Sequence, residues 1–344
     1  MATTRVWGDY APHDHLSYQN IVNFLLFLFC LAPSIAATVI LYSTCDQTLP
    51  ADYSGPFSTT LCSLALHSPA WYANLLFFVN VTVGFWVVGL IQKNFWLIDP
   101  YWTLIPPLLC VLYVTNPLAV YTESRSTVSL VLIWLWCTRL THSYFRREEW
   151  KFGQREDWRY TKMAKENPRF WWLLSFGAVG LAQQPMLVGV TLPSYSIHSV
   201  AEPWNWLDTL ACVTAVSGLC LAGIADNQLR SYMLENERLV AAGEKKKQLL
   251  DTGIWRYSRH PNYLGETTWW LGFGLFAVRL GQWYMLAGWV INTATLITVT
   301  FMTEERMVKN WDEDRVKLYR EYQRVTSAWI PMPRRKAKEN TLLN

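Results

Sequence analysis

The run Ser258-Arg259-His260-Pro261-Asn262-Tyr263-Leu264-Gly265-Glu266 holds the residue types and spacings in this chain best suited to chemistry. Proline is favoured in the first turn of a helix, where its missing N–H is not needed, so Pro261 marks a helix start. A helix N-terminus presents free N–H groups and the positive end of the dipole. Arg256, Arg259 and His260 lie just before it, with Ser258 and Tyr263 in the same stretch. Together these groups form a candidate grip for phosphate. Asn262 and Glu266 are four apart and share a helix face. A carboxylate one turn into a membrane helix is costly unless it is used. The plainer reading is a juxtamembrane loop with a helix cap and arginines that record topology.

Other polar groups sit at the ends of apolar runs. Arg139 and His142 lie three apart inside one run. Ionisable groups at membrane depth are functional candidates, although Arg139 is near the end of its run and could snorkel. Asp226 and Arg230 form an i,i+4 pair that, taken alone, reads as structural. Glu304-Glu305-Arg306 closes the last run. Asp99-Pro100-Tyr101-Trp102 opens another, with Asp and Pro as helix-start signals and Tyr and Trp as interface residues. The chain has no glycine-rich dinucleotide fingerprint after a strand, no P-loop, no G-x-S-x-G and no H-E-x-x-H. It has no C-x-x-C and no Cys/His spacing for zinc, so no metal site is expected.

The elements that must position these groups are membrane helices. The chain has 344 residues, 51% hydrophobic and only 16% charged, where a soluble protein carries about a quarter charged. Apolar runs occupy residues 21–42, 73–92, 101–121, 128–145, 170–190, 206–225, 264–280 and 283–302. Each is near the ~20 residues that cross a bilayer core. The fold class expected is an all-α, polytopic integral membrane helix bundle of about eight transmembrane helices. Pro106-Pro107 and Pro117 interrupt the third run, which could be kinked or re-entrant. The last two runs are separated by Gly281-Gln282 and should form a tight hairpin. Residues beyond Asp226 could extend the sixth run into the cytoplasm.

Lysine and arginine alternate with these runs. Segments 43–72 and 191–205 have none, 122–127 has only Arg125, and the last hairpin tip has only Arg279. Segments 146–169, 226–263 and the tail after 302 are rich in both. That pattern places both termini in the cytoplasm. The net charge of +4 therefore records topology, and no nucleic-acid partner is expected. Cys45 and Cys62 fall in one non-cytoplasmic segment and could pair if that side is an oxidising lumen. His13 and His15 flank Asp14 in a polar N-terminal stretch that reads as solvated. Segments 143–168 and 303–326 mix aromatic and charged residues as interfacial helices do. Three parts are expected: a tail, first span and lumenal segment at 1–70, a membrane domain at 71–333, and a basic tail at 334–344.

The stretch from Gly253 through Glu266, followed by Trp269-Trp270 and Gly272, resembles the signature of the DUF1295 group, placed within the steroid 5-alpha-reductase C-terminal superfamily. Asp99-Pro100-Tyr101-Trp102 resembles that group's early acidic-aromatic motif. Arg139-Leu140 and Glu156-Asp157-Trp158-Arg159-Tyr160 resemble its middle motif. Asp226-Asn227-Gln228-Leu229 precedes the signature as in the group, and Lys317-Leu318-Tyr319-Arg320-Glu321-Tyr322 with Ile330-Pro331 matches its ending. The resemblance covers most of residues 75–333 and leaves the first 70 unexplained.

The resemblance implies a cytosol-facing NADPH cavity among membrane helices in the endoplasmic reticulum. Asn262 and Glu266 match the Asn and Glu with which steroid reductases hold the cofactor. Asp226, Arg230 and Arg139 match its acidic and basic positions, and Arg256, Ser258, Arg259, His260, Tyr263 and Glu305 complete the implied cofactor set. The implied reaction is reduction of an activated C=C bond in a lipid taken from the bilayer, a steroid or sterol, a fatty acyl chain or an isoprenoid. Tyr101 and Asp99 are the nearest candidates for the proton donor. A second resemblance is to isoprenylcysteine and phospholipid methyltransferases, which bind S-adenosylmethionine with an R-H-P-x-Y loop and a paired-Glu segment. Here those would be Arg259-His260-Pro261-x-Tyr263 and Glu304-Glu305.

Overall fold

The computed structural model describes residues 15–52 and 55–334. His13, Asp14 and the tail from residue 335 lie outside the described residues. The regular elements described are helices, with one isolated parallel bridge between Ser258 and Ser327. The chain divides into two compact units, Met1–Asp208 with Gly274–Trp289 and Thr209–Phe273 with Val290–Asn344.

The first unit contains α1 (Tyr18–Phe29), α2 (Ala32–Thr44), α3 (Phe57–His67), α4 (Pro69–Phe77), α5 (Trp86–Gln92), α6 (Ile98–Val114), α7 (Glu123–Arg147), α8 (Trp158–Glu166), α9 (Trp171–Ser175), α10 (Gln183–Leu187) and α11 (Leu192–Ile197). π-helical turns at Phe78–Phe85 and Phe176–Leu181 join α4 to α5 and α9 to α10. Four further helices follow: α12 (Trp206–Ala241), α13 (Pro261–Arg279), α14 (Ala287–Asn310) and α15 (Glu313–Val325).

Five helical runs are long and apolar enough to cross a membrane: Tyr18–Thr44, Pro69–Gln92, Trp171–Ile197, Trp206–Ala241 and Trp283–Asn310. The protein is thus a polytopic membrane helix bundle. The other three expected spans are also helical but fall short of those measures. α6 has 17 residues. α7 carries Arg125, Arg139, Arg146 and Arg147, which lower its mean hydropathy. α13 gives seven of its 19 residues to Trp, Gly and Thr, which lower its mean hydropathy.

The first run is not one straight helix. It breaks between α1 and α2, where Pro33 in the first turn of α2 cannot donate a backbone hydrogen bond. α6 instead runs on through Pro106 and Pro107 and stops at Val114. Beyond it the Asn116 side chain donates to the carbonyls of Ala65 and Leu66 and accepts from Leu118 N–H. α12 has 36 residues, roughly 54 Å at 1.5 Å per residue, far more than the ~30 Å hydrocarbon core.

Residues 15–52 and 55–70 are built into the first unit. Asn20 and Asn23 of α1 are buried and grip the loop before α8. Asn23 Nδ2 donates to Phe152 O at 2.8 Å, and Phe152 N–H donates to Asn20 Oδ1 at 2.7 Å. Cys45 and Cys62 form a disulfide, with Cα atoms 5.5 Å apart. The core of this unit is strongly aromatic, with Tyr72, Phe85, Trp96, Tyr101 and Tyr113 nearly fully buried.

The two basic residues that break the charge alternation share one carboxylate. Arg125 Nε lies 2.7 Å from Asp208 Oδ1, both side chains being wholly buried, and Arg279 Nε lies 3.6 Å from Asp208 Oδ2. Asp208 also caps α12, accepting from Asn205 N–H at 2.9 Å while Asn205 accepts from Leu207 N–H at 2.8 Å.

Candidate functional site

In the second unit a stripe of small residues brings α12 and α13 together. Ala211, Ala215, Ala222 and Ala225 are almost completely buried on α12. A Cβ on Gly265 would lie 2.4 Å from Ala222 N, one on Gly218 would lie 2.3 Å from Trp269 N, and one on Gly272 would lie 2.3 Å from Ala215 N. Only glycine allows backbones to approach so closely, the usual device where helices meet in a membrane. The Ala222–Gly265 contact has a consequence for chemistry. Asp226 is one turn beyond Ala222, and Asn262 and Glu266 flank Gly265. The expected acidic and amide groups therefore sit at one crossing.

The loop before α13 is fastened to α12. Gln228 Oε1 accepts from Ile254 N–H at 3.0 Å and covers Gly253, whose φ of +59° suits glycine. Trp255 Nε1 donates to Ala225 O at 3.2 Å. The same loop pairs with the segment after α15. Arg259 N–H donates to Ser327 O and His260 N–H to Ala328 O, both at 2.9 Å. Ser258 is wholly buried, and its hydroxyl donates to Ala328 O at 3.2 Å. The Tyr322 hydroxyl donates to Trp255 O. Burial pushes that phenol above its usual range, so it stays protonated.

The arginine and histidine of the signature are taken up by Glu304. Arg259 Nε and Nη2 lie 2.9 and 3.3 Å from the two carboxylate oxygens, and His260 Nε2 lies 2.9 Å from Oε1. Gln323 Nε2 donates to Oε2 at 2.8 Å. Arg259 Nη1 donates to the carbonyls of Gln323 and Thr326. The spacing alone points Arg259 and His260 at a phosphate; in the structure a carboxylate and two carbonyls hold Arg259, and the same carboxylate holds His260. Tyr263 stacks on His260, ring centroids 5.2 Å apart, and meets Trp329 edge-on. Of the acidic pair, Glu304 is the buried member. Glu305, the member placed in the implied NADPH set, is exposed and bonded to Lys309 at 2.6 Å.

Asn262 Oδ1 on α13 and Arg230 Nε, one turn beyond Asp226 on α12, are buried without a hydrogen-bond partner. Arg230 approaches Glu237 only at 3.8 Å. Glu266 Oε1 accepts from Trp270 Nε1 at 3.1 Å. An unmade buried hydrogen bond costs about 1–3 kcal/mol, which a ligand group can recover. Asn262 lacks a donor and Arg230 lacks an acceptor, so a ligand with an amide N–H and phosphate oxygens fits this donor and acceptor set. Arg256 is exposed, and its backbone carbonyl accepts from Arg334 Nε at 3.4 Å.

The remaining sequence candidates belong to the first unit. Tyr101 is buried, its hydroxyl donates to Phe27 O, and its ring packs 5.0 Å from Phe85. Asp99 opens α6 among the charges of Asp157, Arg147 and Arg159. Two residues apart on a helix, Asp99 and Tyr101 point to different faces and do not form one donor group. Arg139 is partly buried on α7, and His142 is exposed, its ring 6.4 Å from Trp150. Among the described residues no His, Cys, Asp and Glu cluster could hold a metal ion.

No solved structure matches this chain. An uncharacterized protein of Schizosaccharomyces pombe is 24% identical over 330 residues, covering 87% of this chain and 94% of that protein. The family model described as protein of unknown function (DUF1295) matches residues 85–326. That match begins inside the π-turn before α5 and ends one residue beyond α15, so it takes in the α12–α13 crossing, Glu304 and the segment that meets it: the chain belongs to the DUF1295 family.

Proposed function

We propose that this protein is an NADPH-dependent reductase acting on a C=C bond of a membrane lipid, as its resemblance to steroid 5-alpha-reductases implies. The observation that carries the reading is the unpartnered Asn262 Oδ1 in the first turn of α13, flanked by Glu266 and brought to Asp226 by the glycine contact with α12. Bound NADPH would supply hydride to the β carbon of an activated double bond. Asn262 and Glu266 would take its carboxamide, Arg230 and Arg256 its phosphates, and Asp226 would orient Arg230 one turn away. Arg259, His260 and Glu304 would act from behind, holding the start of α13 in place. The Tyr101 hydroxyl is already spent on Phe27, which argues against it as the proton donor.

One observation favours the methyltransferase reading. Its two motifs, the R-H-P-x-Y loop and the paired glutamates, touch through Arg259, His260 and Glu304. That contact closes these groups on one another, and the unpartnered atoms lie elsewhere, at Asn262 and Arg230. The purified protein in nanodiscs should therefore be thermally stabilised by NADPH and not by S-adenosylmethionine. Asn262→Ala and Glu266→Gln should each weaken NADPH binding by about 1–3 kcal/mol, read by titration. Unchanged affinity in both variants, or stabilisation by S-adenosylmethionine alone, rejects the reading.

We further propose a location in the endoplasmic reticulum with both termini cytoplasmic. The lysine and arginine alternation supports it. So does the pairing of Arg125 and Arg279 with Asp208, which removes its two exceptions from solvent. The Cys45–Cys62 disulfide suits an oxidising lumen on the opposite side. Tags inserted at the exposed positions Ala201 and Glu244 should then fall on opposite sides in a protease-protection assay. Protection of both, or of neither, overturns the map.

A further inference from the structure

The cytoplasmic end of α14 and the facing side of α15 border an open cleft of about 390 Å³ in the second unit. Its position along α14 defines what it can hold. Trp283, highly exposed at the other end of this span, is an interface residue. Phe301 and Glu305 stand 18 and 22 residues further along that apolar run, and about 20 residues cross a bilayer core. With a hydrocarbon core of ~30 Å, Phe301 sits at the edge of the acyl region and Glu305 among the headgroups. Phe301 and Val308 line the apolar part of the cleft, and Phe301 is 69% exposed.

The charged groups of the cleft leave one cation over. Glu304 is balanced by Arg259, and Lys309 by Glu305 at 2.6 Å. Arg320 also lines the cleft. Its guanidinium donates to the neutral Gln323 amide at 3.0 Å and meets no carboxylate among the described residues. The neighbouring Glu321 is bonded to Arg324 at 2.7 Å. A half-apolar cleft at the boundary of hydrocarbon and headgroups, with one spare guanidinium, is complementary to an anionic amphiphile.

We propose that this cleft binds an anionic membrane lipid, its headgroup phosphate on Arg320 and its acyl chain along Phe301 and Val308. A guanidinium matches a phosphate in both charge and hydrogen-bond geometry. The site is distinct from the α12–α13 crossing and stands whether or not the protein is a reductase.

The test uses the full-length protein in phosphatidylcholine nanodiscs with a diazirine-bearing phosphatidic acid. Cross-linked residues should concentrate at Phe301 to Lys309 and near Arg320. Arg320→Glu should lower that labelling at least fivefold, while Arg320→Lys should retain most of it. Val308→Trp, which fills the cleft, should lower it in either charge background. Unlabelled phosphatidic acid should compete, and inorganic phosphate should not. Labelling spread evenly over the exposed face of α14, or unaffected by both Arg320→Glu and Val308→Trp, overturns the proposal. Competition by inorganic phosphate also overturns it, in favour of a free-anion site. The NADPH-induced thermal shift is recorded in the same samples. Its absence from the wild type counts against the reductase reading alone, and a cooperative thermal transition of Arg320→Glu without NADPH shows the variant is folded.

Discussion

Replacing Glu304 by alanine should destabilise the protein by about 3–5 kcal/mol, the scale for removing one partner of a buried ion pair. The side chains of Glu304 and Arg259 are only 10% and 12% exposed. Without the carboxylate, Arg259 keeps its charge and loses two of its bonds, and His260 and Gln323 each lose a partner. Glu304→Gln keeps a side-chain oxygen for Arg259 or His260 and should cost markedly less. Glu305→Ala removes only an exposed pair with Lys309 and should change stability by well under 1 kcal/mol. The thermal midpoints of the three variants in nanodiscs, with NADPH and without, provide the check. If Glu304 holds the start of α13 in place, its alanine variant loses NADPH stabilisation as well as stability. Equal midpoints for Glu304→Ala and Glu305→Ala would show that the pair is not the fastening it looks to be.

The contrast between those two glutamates shows what could be read from sequence. The helices themselves were legible, because apolar runs of the right length leave few alternatives. The start of α13 at Pro261 and the extension of α12 past Asp226 were legible for the same kind of local reason. The inward turn of Glu304 was legible in principle: Thr300 and Glu304, four apart, form the buried face of α14, while Phe301 and Glu305 form the exposed one. Read only as the end of an apolar run, the two acids look equivalent. The capture of Arg259 by Glu304 and by the carbonyls of Gln323 and Thr326 was not legible. Those partners are 45 to 67 residues away, and no spacing rule links a loop to carbonyls that become free only when α15 ends. The break before α2 lay in plain sight at Pro33, but hydropathy averaged over the run conceals a single missing N–H. Tyr101 illustrates the reverse error. Its motif suggested a proton donor, whereas packing gives its hydroxyl to a carbonyl of α1, in the part of the chain the resemblance did not cover.

The largest effect in the first unit should come from Asp208→Asn. This one wholly buried carboxylate faces two guanidiniums, so the cluster carries one net positive charge before the change and two after it. Asparagine preserves the shape and can still accept from Asn205 N–H, which keeps the cap on α12 nearly intact. What it removes is charge, and an uncompensated buried charge costs about 3–5 kcal/mol. Arg125→Met works in the opposite sense. It leaves Asp208 balanced by Arg279, brings the cluster to neutrality, and also disposes of Arg125 Nη1, which is buried without a partner. The methionine variant should therefore be the more stable of the two, although it loses the more direct ion pair. In the double variant Arg125→Met with Asp208→Asn, a single cation is left, and stability should recover part of the way from Asp208→Asn alone. This ordering separates electrostatics from packing. If the cluster held α7 to α12 by contact alone, removing the wholly buried arginine side chain would be the costlier change, and the double variant would be worse than either single one. Midpoints of thermal unfolding for the three proteins, measured in the same nanodiscs, decide between the two orders.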